Sequence, residues 1–181
     1  MTLDLDGKDL PGLTLLDQDG KQPRLAMDIG PEGSPGLALL ARDGKHRAIL
    51  ALYRKSEGQS VRGSDSVDGD ESPALALHGA DGRARATLSV LGTGASGLDL
   101  ADTDGKRRAL FAVRPDGTPN LELGDQRGTA RASVTVLSDG TPTLNLYGAD
   151  GRARATLSVP GTNAAGIALA DRDGRVTWSA P

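Results

Sequence analysis

Three Asp-x-Asp-Gly segments, at Asp17/Asp19, Asp102/Asp104 and Asp171/Asp173, cluster carboxylates in the way a hard cation such as calcium favours. A calcium loop also needs oxygens at further fixed offsets and a distal Glu. Here Lys or Arg soon follows the glycine and an apolar alternation begins. These segments are expected to be hairpin turns, and no metal is expected. Gly92-Thr-Gly-Ala-Ser-Gly97 has the G-x-G-x-x-G spacing of a dinucleotide-binding loop. That loop must open a helix, whereas Leu98-Asp-Leu-Ala opens a strand pattern, so no cofactor is expected.

A cationic column is the third candidate. Arg24, Arg47, Arg85, Arg108, Arg131 and Arg154 recur at one place in the pattern. On alternate strands of a sheet they would stand roughly 10 Å apart on one face. Such a ladder could hold a polyanion, an acidic polysaccharide above all. It would equally cover neighbouring side chains with its stems and pair with turn aspartates. Nucleic acid is disfavoured by the net charge of −3 and by an aromatic content of 2%, which leaves few rings for bases to stack on. His46 and His78 fall at non-equivalent positions with no nearby serine or carboxylate in a catalytic pattern. No catalytic residue is expected, and the chain is not expected to be an enzyme.

The elements that would position these groups are repeats. Leu75, Leu98, Leu121, Leu144 and Ile167 are spaced 23 residues apart, with earlier units starting at Leu13 and Leu37. The consensus is L-x-L-x-D-x-D-G-K/R-x-R-A-x-L-x-V. Leu98 and Leu100 alternate with polar neighbours, as do Ala109, Phe111 and Val113, which is the period of a half-buried strand. Asp-Gly at 81–82, 104–105, 150–151 and 173–174 suits the positive φ of a tight hairpin turn. Connectors such as Pro115-Asp-Gly-Thr-Pro-Asn120 use Gly and Pro to the same end. The fold expected is all-β, a meander of tandem hairpins.

One repeat domain over 1–181 follows, with an N-terminal cap at 1–12, units one and two at 13–53, an inserted loop at 54–72 and units three to seven at 73–181. The loop, rich in Ser, Gly and Asp, is a second place where a partner could bind. Trp178 is expected to plug the far end. Gly79–Val90 recurs unchanged as Gly148–Val159, three units later. Either a three-unit block was duplicated, or three hairpins make one turn of a closed or coiled body, solenoid-like or prism-like. With Arg85, Thr87 and Ser89 making one face polar, the apolar face must be covered by rolling up, by forming a sandwich, or by other chains. Any core has to be made of Leu, Val and Ala.

There is no cysteine, so disulfides and thiolate chemistry are excluded. No stretch has the length of apolar run that crosses a membrane, and the opening Met-Thr-Leu-Asp-Leu-Asp lacks the pattern of a targeting segment, so no membrane insertion is expected. Residues 36–45, Gly-Leu-Ala-Leu-Leu-Ala-Arg-Asp-Gly-Lys, and the tail 166–181 ending Asp-Gly-Arg-Val-Thr-Trp-Ser-Ala-Pro resemble tandem hairpin repeats of uncharacterised bacterial proteins. More loosely the units are similar to tyrosine-aspartate repeats of toxin shells and to MORN repeats, though without their diagnostic tyrosines. The resemblance implies a bacterial, architectural, surface or extracellular role and no catalytic residue. The functional expectation is a structural or interaction module of a surface, fibre or filament assembly that self-associates or binds a protein. Its rival is a binder of a polyanionic glycan or protein partner through the arginines or the loop.

Overall fold

Alternating apolar and polar residues, interrupted by glycine at regular intervals, can satisfy their backbone only by pairing with the next such segment. A computed structural model shows that pairing for residues 2–5, 11–30, 33–53, 72–161 and 164–181, the residues described below. All of their regular structure is β. The strands are β1 (Thr2–Leu5), β2 (Pro11–Leu16), β3 (Pro23–Ile29), β4 (Pro35–Leu40), β5 (His46–Tyr53), β6 (Ser72–His78), β7 (Ala84–Val90), β8 (Ser96–Ala101), β9 (Arg107–Val113), β10 (Pro119–Gly124), β11 (Ala130–Val136), β12 (Pro142–Tyr147), β13 (Ala153–Ser158), β14 (Gly166–Ala170) and β15 (Val176–Ala180).

The chain divides into two compact units, Met1–Thr93 and Gly94–Pro181. The first carries β1 to β7 and the second β8 to β15, and in each the strands pair antiparallel in chain order. This is the expected meander. Leu3-Asp4-Leu5 of the expected cap is β1, paired to β2 through Leu3↔Leu13. In neither unit does a described pairing join the first strand to the last. The inserted loop, apart from Ser72, lies outside the described residues.

The turns differ in kind from a two-residue hairpin. In unit two of the repeat Gly44 N–H donates to the Ala41 carbonyl at 3.0 Å and Ala41 N–H to the Lys45 carbonyl at 2.9 Å, while the strand register slips between Leu39 and Leu40. This is a type I turn closed by a left-handed glycine in a bulge. Only the glycine needs positive φ, +75° at Gly44 and +83° at Gly82. The same two bonds close Arg114–Thr118 and Leu137–Thr141. Connectors and hairpin turns are therefore one device, used at both ends of the strands.

The expected core is not where the leucines are. Cross-strand pairing puts Leu37, Leu50, Leu75 and Leu88 on one face of the first unit, and Leu98, Phe111, Leu121, Val134, Leu144, Leu157 and Ile167 on the corresponding face of the second. Leu37 and Leu98 are half-buried, and the others are about half open, from 38% exposed at Leu75 to 59% at Phe111. The buried positions lie opposite: Ser72, Ala74 and Ala76 in the first unit, Asn120, Ser133 and Thr135 in the second. They are small, and taller neighbours on their own face flank them, as Ile49 and Thr87 flank Ala76 and Tyr53 pairs with Ser72. Polar members are also bridged, with Thr135 Oγ1 donating to Asn120 Oδ1 at 2.8 Å and Ser133 Oγ 2.8 Å from Tyr147 Oη. Among the described residues no large side chain is fully buried. Among the described residues each unit is held by ladder hydrogen bonds, turns and same-face contacts, and no second layer covers its Leu-rich face.

Candidate interaction surfaces

The turn that ends each first strand leaves backbone N–H groups pointing at its centre, and a carboxylate answers them in one of two ways. Where Asp stands first in the turn, as at Asp102, its Oδ1 accepts from Asp104 N–H at 2.9 Å and Lys106 N–H at 3.0 Å. Asp125 and Asp171 do the same, and Asp17 accepts from Lys21 N–H and Gln22 N–H in a turn one residue longer. Where Asp is only third, as at Asp43, Asp81 and Asp150, it accepts from the N–H two residues on. In the Asp-x-Asp-Gly turns the first carboxylate is thus spent on the backbone. Those N–H donors hold the carboxyls of Asp17, Asp43, Asp81, Asp102, Asp125 and Asp150 below the usual range. No cluster of three metal-ligating side chains occurs among the described residues.

The position of the Asp also sets the arginine beside it. With Asp first, Arg24, Arg108 and Arg131 each send Nε to a carbonyl of the next strand, Leu40, Gly124 and Tyr147, at 3.0–3.1 Å. Arg108 and Arg131 add an ion pair to Asp102 and Asp125. With Asp third, Arg47, Arg85 and Arg154 turn back on Asp43, Asp81 and Asp150, the last two pairs at 2.6 Å. Gly79 and Gly148 make room for this: a Cβ there would lie 2.9 and 2.7 Å from the carboxylate oxygen. All six arginines of the column are therefore engaged, on the face opposite the leucines, and the column is locally charge-balanced.

Two further features were not legible in the sequence. His46 and His78 lie near each other at the turn ends of paired β5 and β6, although their repeat positions differ. Burial first, and then the charge of His46, push the His78 imidazole below its ordinary pKa. In the second unit Asp99 and Arg107 form an ion pair on the small-residue face. Burial nonetheless raises the Asp99 carboxyl, outweighing the guanidinium beside it.

The remaining surface is the apolar face. In the first unit Leu50, Leu75, Leu88 and Val90 line a shallow depression of about 160 Å³ with Pro73, Ala74 and Ser89. In the second unit two rows cross the strands from β8 to β14. One is large throughout, running from Leu98 through Phe111, Leu121, Val134, Leu144 and Leu157 to Ile167. The other alternates: Leu100, Ala109, Leu123, Ala132, Leu146, Ala155, Leu169. Trp178 ends it beside Leu169, 51% exposed and lying on the face rather than plugging an end. Neither row contains a charged residue.

No family model matches the chain. No curated protein sequence matches it either. Among solved structures it is similar to the TCP10 domain of Danio rerio CPAP in complex with a peptide of Danio rerio STIL, at 19% identity over 93% of this chain and 98% of that one. The TM-score is 0.22, too low to carry any argument.

Proposed function

We propose that the chain is a non-enzymatic structural module that self-associates, a building piece of a surface, fibre or filament type assembly. One observation supports this above the others: in each unit the Leu-rich sheet face is about half exposed and free of charge, while polar and charged groups are gathered on the opposite face and at the turns. Contiguous apolar patches of this extent on soluble proteins mark places where another surface packs. A roll or coil with three hairpins per turn is the rival way to cover such a face, within a single chain. Binding of a polyanion through Arg24, Arg47, Arg85, Arg108, Arg131 and Arg154 has less support, because a ligand would have to displace carboxylates and carbonyls those side chains already hold.

Light scattering on size-exclusion fractions over a wide concentration range tests the reading. Mass is expected to rise with concentration and to be insensitive to added salt, as apolar contact is. A monomer at every concentration, or association abolished by moderate salt, overturns it.

A further inference from the structure

The alternating row of the second unit specifies the partner and the fit, an inference that rests on the self-association just proposed. Leu123, Leu146 and Leu169 stand on even-numbered strands, and Ala109, Ala132 and Ala155 on the strands next to them. Strands are about 4.8 Å apart, so leucine ridges recur roughly every 9.6 Å with alanine hollows midway. In the first unit the equivalent row reads Leu15, Leu25, Leu39, Ala48, Leu77, Ala86 and alternates only at its end. The ridged surface belongs to the second unit.

A regularly ridged face is complementary to itself after a shift of one strand. We propose that the second unit packs face to face on the second unit of another copy of this chain, about a two-fold axis parallel to the strands and midway between β11 and β12. That rotation keeps each residue at its height along the strand, so each row meets itself. It sets β11 over β12 of the other copy and β10 over β13. Ala132 then receives the other copy's Leu146, and Ala155 its Leu123, each contact occurring twice, as an isologous interface requires. The large row, Phe111 and Leu121 among it, fills the layer alongside, at the roughly 10 Å separation of packed sheets.

The available area matches the demand. Thirteen large apolar side chains of this face are 38–59% exposed, from Leu100 to Trp178. With roughly 120 Å² for each fully buried side chain of this size, they offer about 700 Å² per copy. A stable interface of standard size takes about 800 Å² per partner, and the alanines between the ridges and the rim supply the difference. Charge does not oppose the approach of two identical faces, since the rows carry none.

Filling a hollow separates this fit from mere stickiness. Ala132→Leu adds apolar surface, so an unspecific apolar association would tighten. Interlocking predicts the reverse, a dimer dissociation constant at least tenfold weaker in sedimentation of the full chain, with the strand signal in circular dichroism unchanged. Adding Leu146→Ala exchanges ridge and hollow across the axis and should restore the constant to within about threefold. Ala155→Leu with and without Leu123→Ala repeats the exchange at a second place, should the first single variant fail to fold. An Ala→Leu variant that dimerises as tightly as the parent, or a double variant that is not rescued, overturns the interlocked face while leaving self-association standing. A parent chain that stays monomeric overturns both.

Discussion

Phe111 is the most exposed large side chain of the continuous apolar row, 59% open, with Leu98 and Leu121 as its cross-strand partners. Replacing a phenylalanine by alanine in a sealed core costs about 3–5 kcal/mol, because transfer and cavity penalties add. At Phe111 no cavity forms, and less than half the ring's area is withdrawn from water. Two-fifths of a transfer free energy of about 3 kcal/mol is roughly 1 kcal/mol. The two cross-strand contacts add a few tenths each. Phe111→Ala should therefore destabilise the dilute, monomeric protein by about 1–2 kcal/mol. Urea unfolding followed by far-ultraviolet circular dichroism would read this as a shift in midpoint at constant slope. Repeated at concentrations where the chain associates, the same substitution should cost more, because the ring is then covered. A loss of about 3 kcal/mol or more in the dilute protein, the size seen in sealed cores, would refute the open face and place Phe111 in an intrachain core.

Other consequences are local. Gly82 sits at φ +83° with nothing within 4 Å of where a Cβ would stand, so Gly82→Ala should cost about 1–2 kcal/mol of backbone strain alone, and Gly82→Asn less, by thermal unfolding. Asp102→Ala removes the acceptor of two backbone N–H groups, whereas no such bond reaches the side chain of Asp104; the first variant should lower the urea midpoint and the second leave it near the parent's, and equal effects would contradict the turn geometry. The folded carboxyls of Asp17, Asp81, Asp102, Asp125 and Asp150 lie below their unfolded value, so the stability they confer is full above about pH 4 and is lost as pH falls through the folded values. Asp99 runs the other way, its raised carboxyl favouring the fold at low pH, so Asp99→Asn should make the acid loss steeper in a titration of unfolding midpoint against pH.

The strand order was legible because period-two alternation and turn glycines speak about the backbone, and backbone pairing is local in a meander. Leu98, Leu121, Leu144 and Ile167, aligned by spacing alone, do fall on one face of the second unit, and Leu75 falls on the leucine face of the first. Which face is sheltered was not legible. Hydropathy marks Leu75 and Leu77 for burial, yet Ala74 and Ala76 are the sheltered residues of β6, since nothing in an apolar alternation says whether a second layer exists to cover it. The arginine column was found at the right positions, but the bond each makes depends on an Asp four, six or seven residues earlier and on a carbonyl one strand over. The nearness of His46 to His78 is likewise a product of register between β5 and β6, which unequal repeat positions conceal.

The turn chemistry also bears on why units three apart look alike. Gly79–Val90 and Gly148–Val159 are identical in sequence, and their turns share one design: Asp third, Arg turned back at 2.6 Å, and a glycine where a Cβ would strike the carboxylate. That local fit is enough to keep the three residue types together without any equivalence of position in a coil. A three-hairpin coil would require more, namely that every unit follow the period. Unit five does not: its turn has Asp first, at Asp125, with Arg131 reaching to Tyr147, whereas unit two, its counterpart three units earlier, has Asp third, at Asp43, with Arg47 turned back. The period is therefore carried by a few turns of matched chemistry and broken where a different Asp serves equally well. Duplication of a block explains that pattern with fewer demands than three-fold coiling.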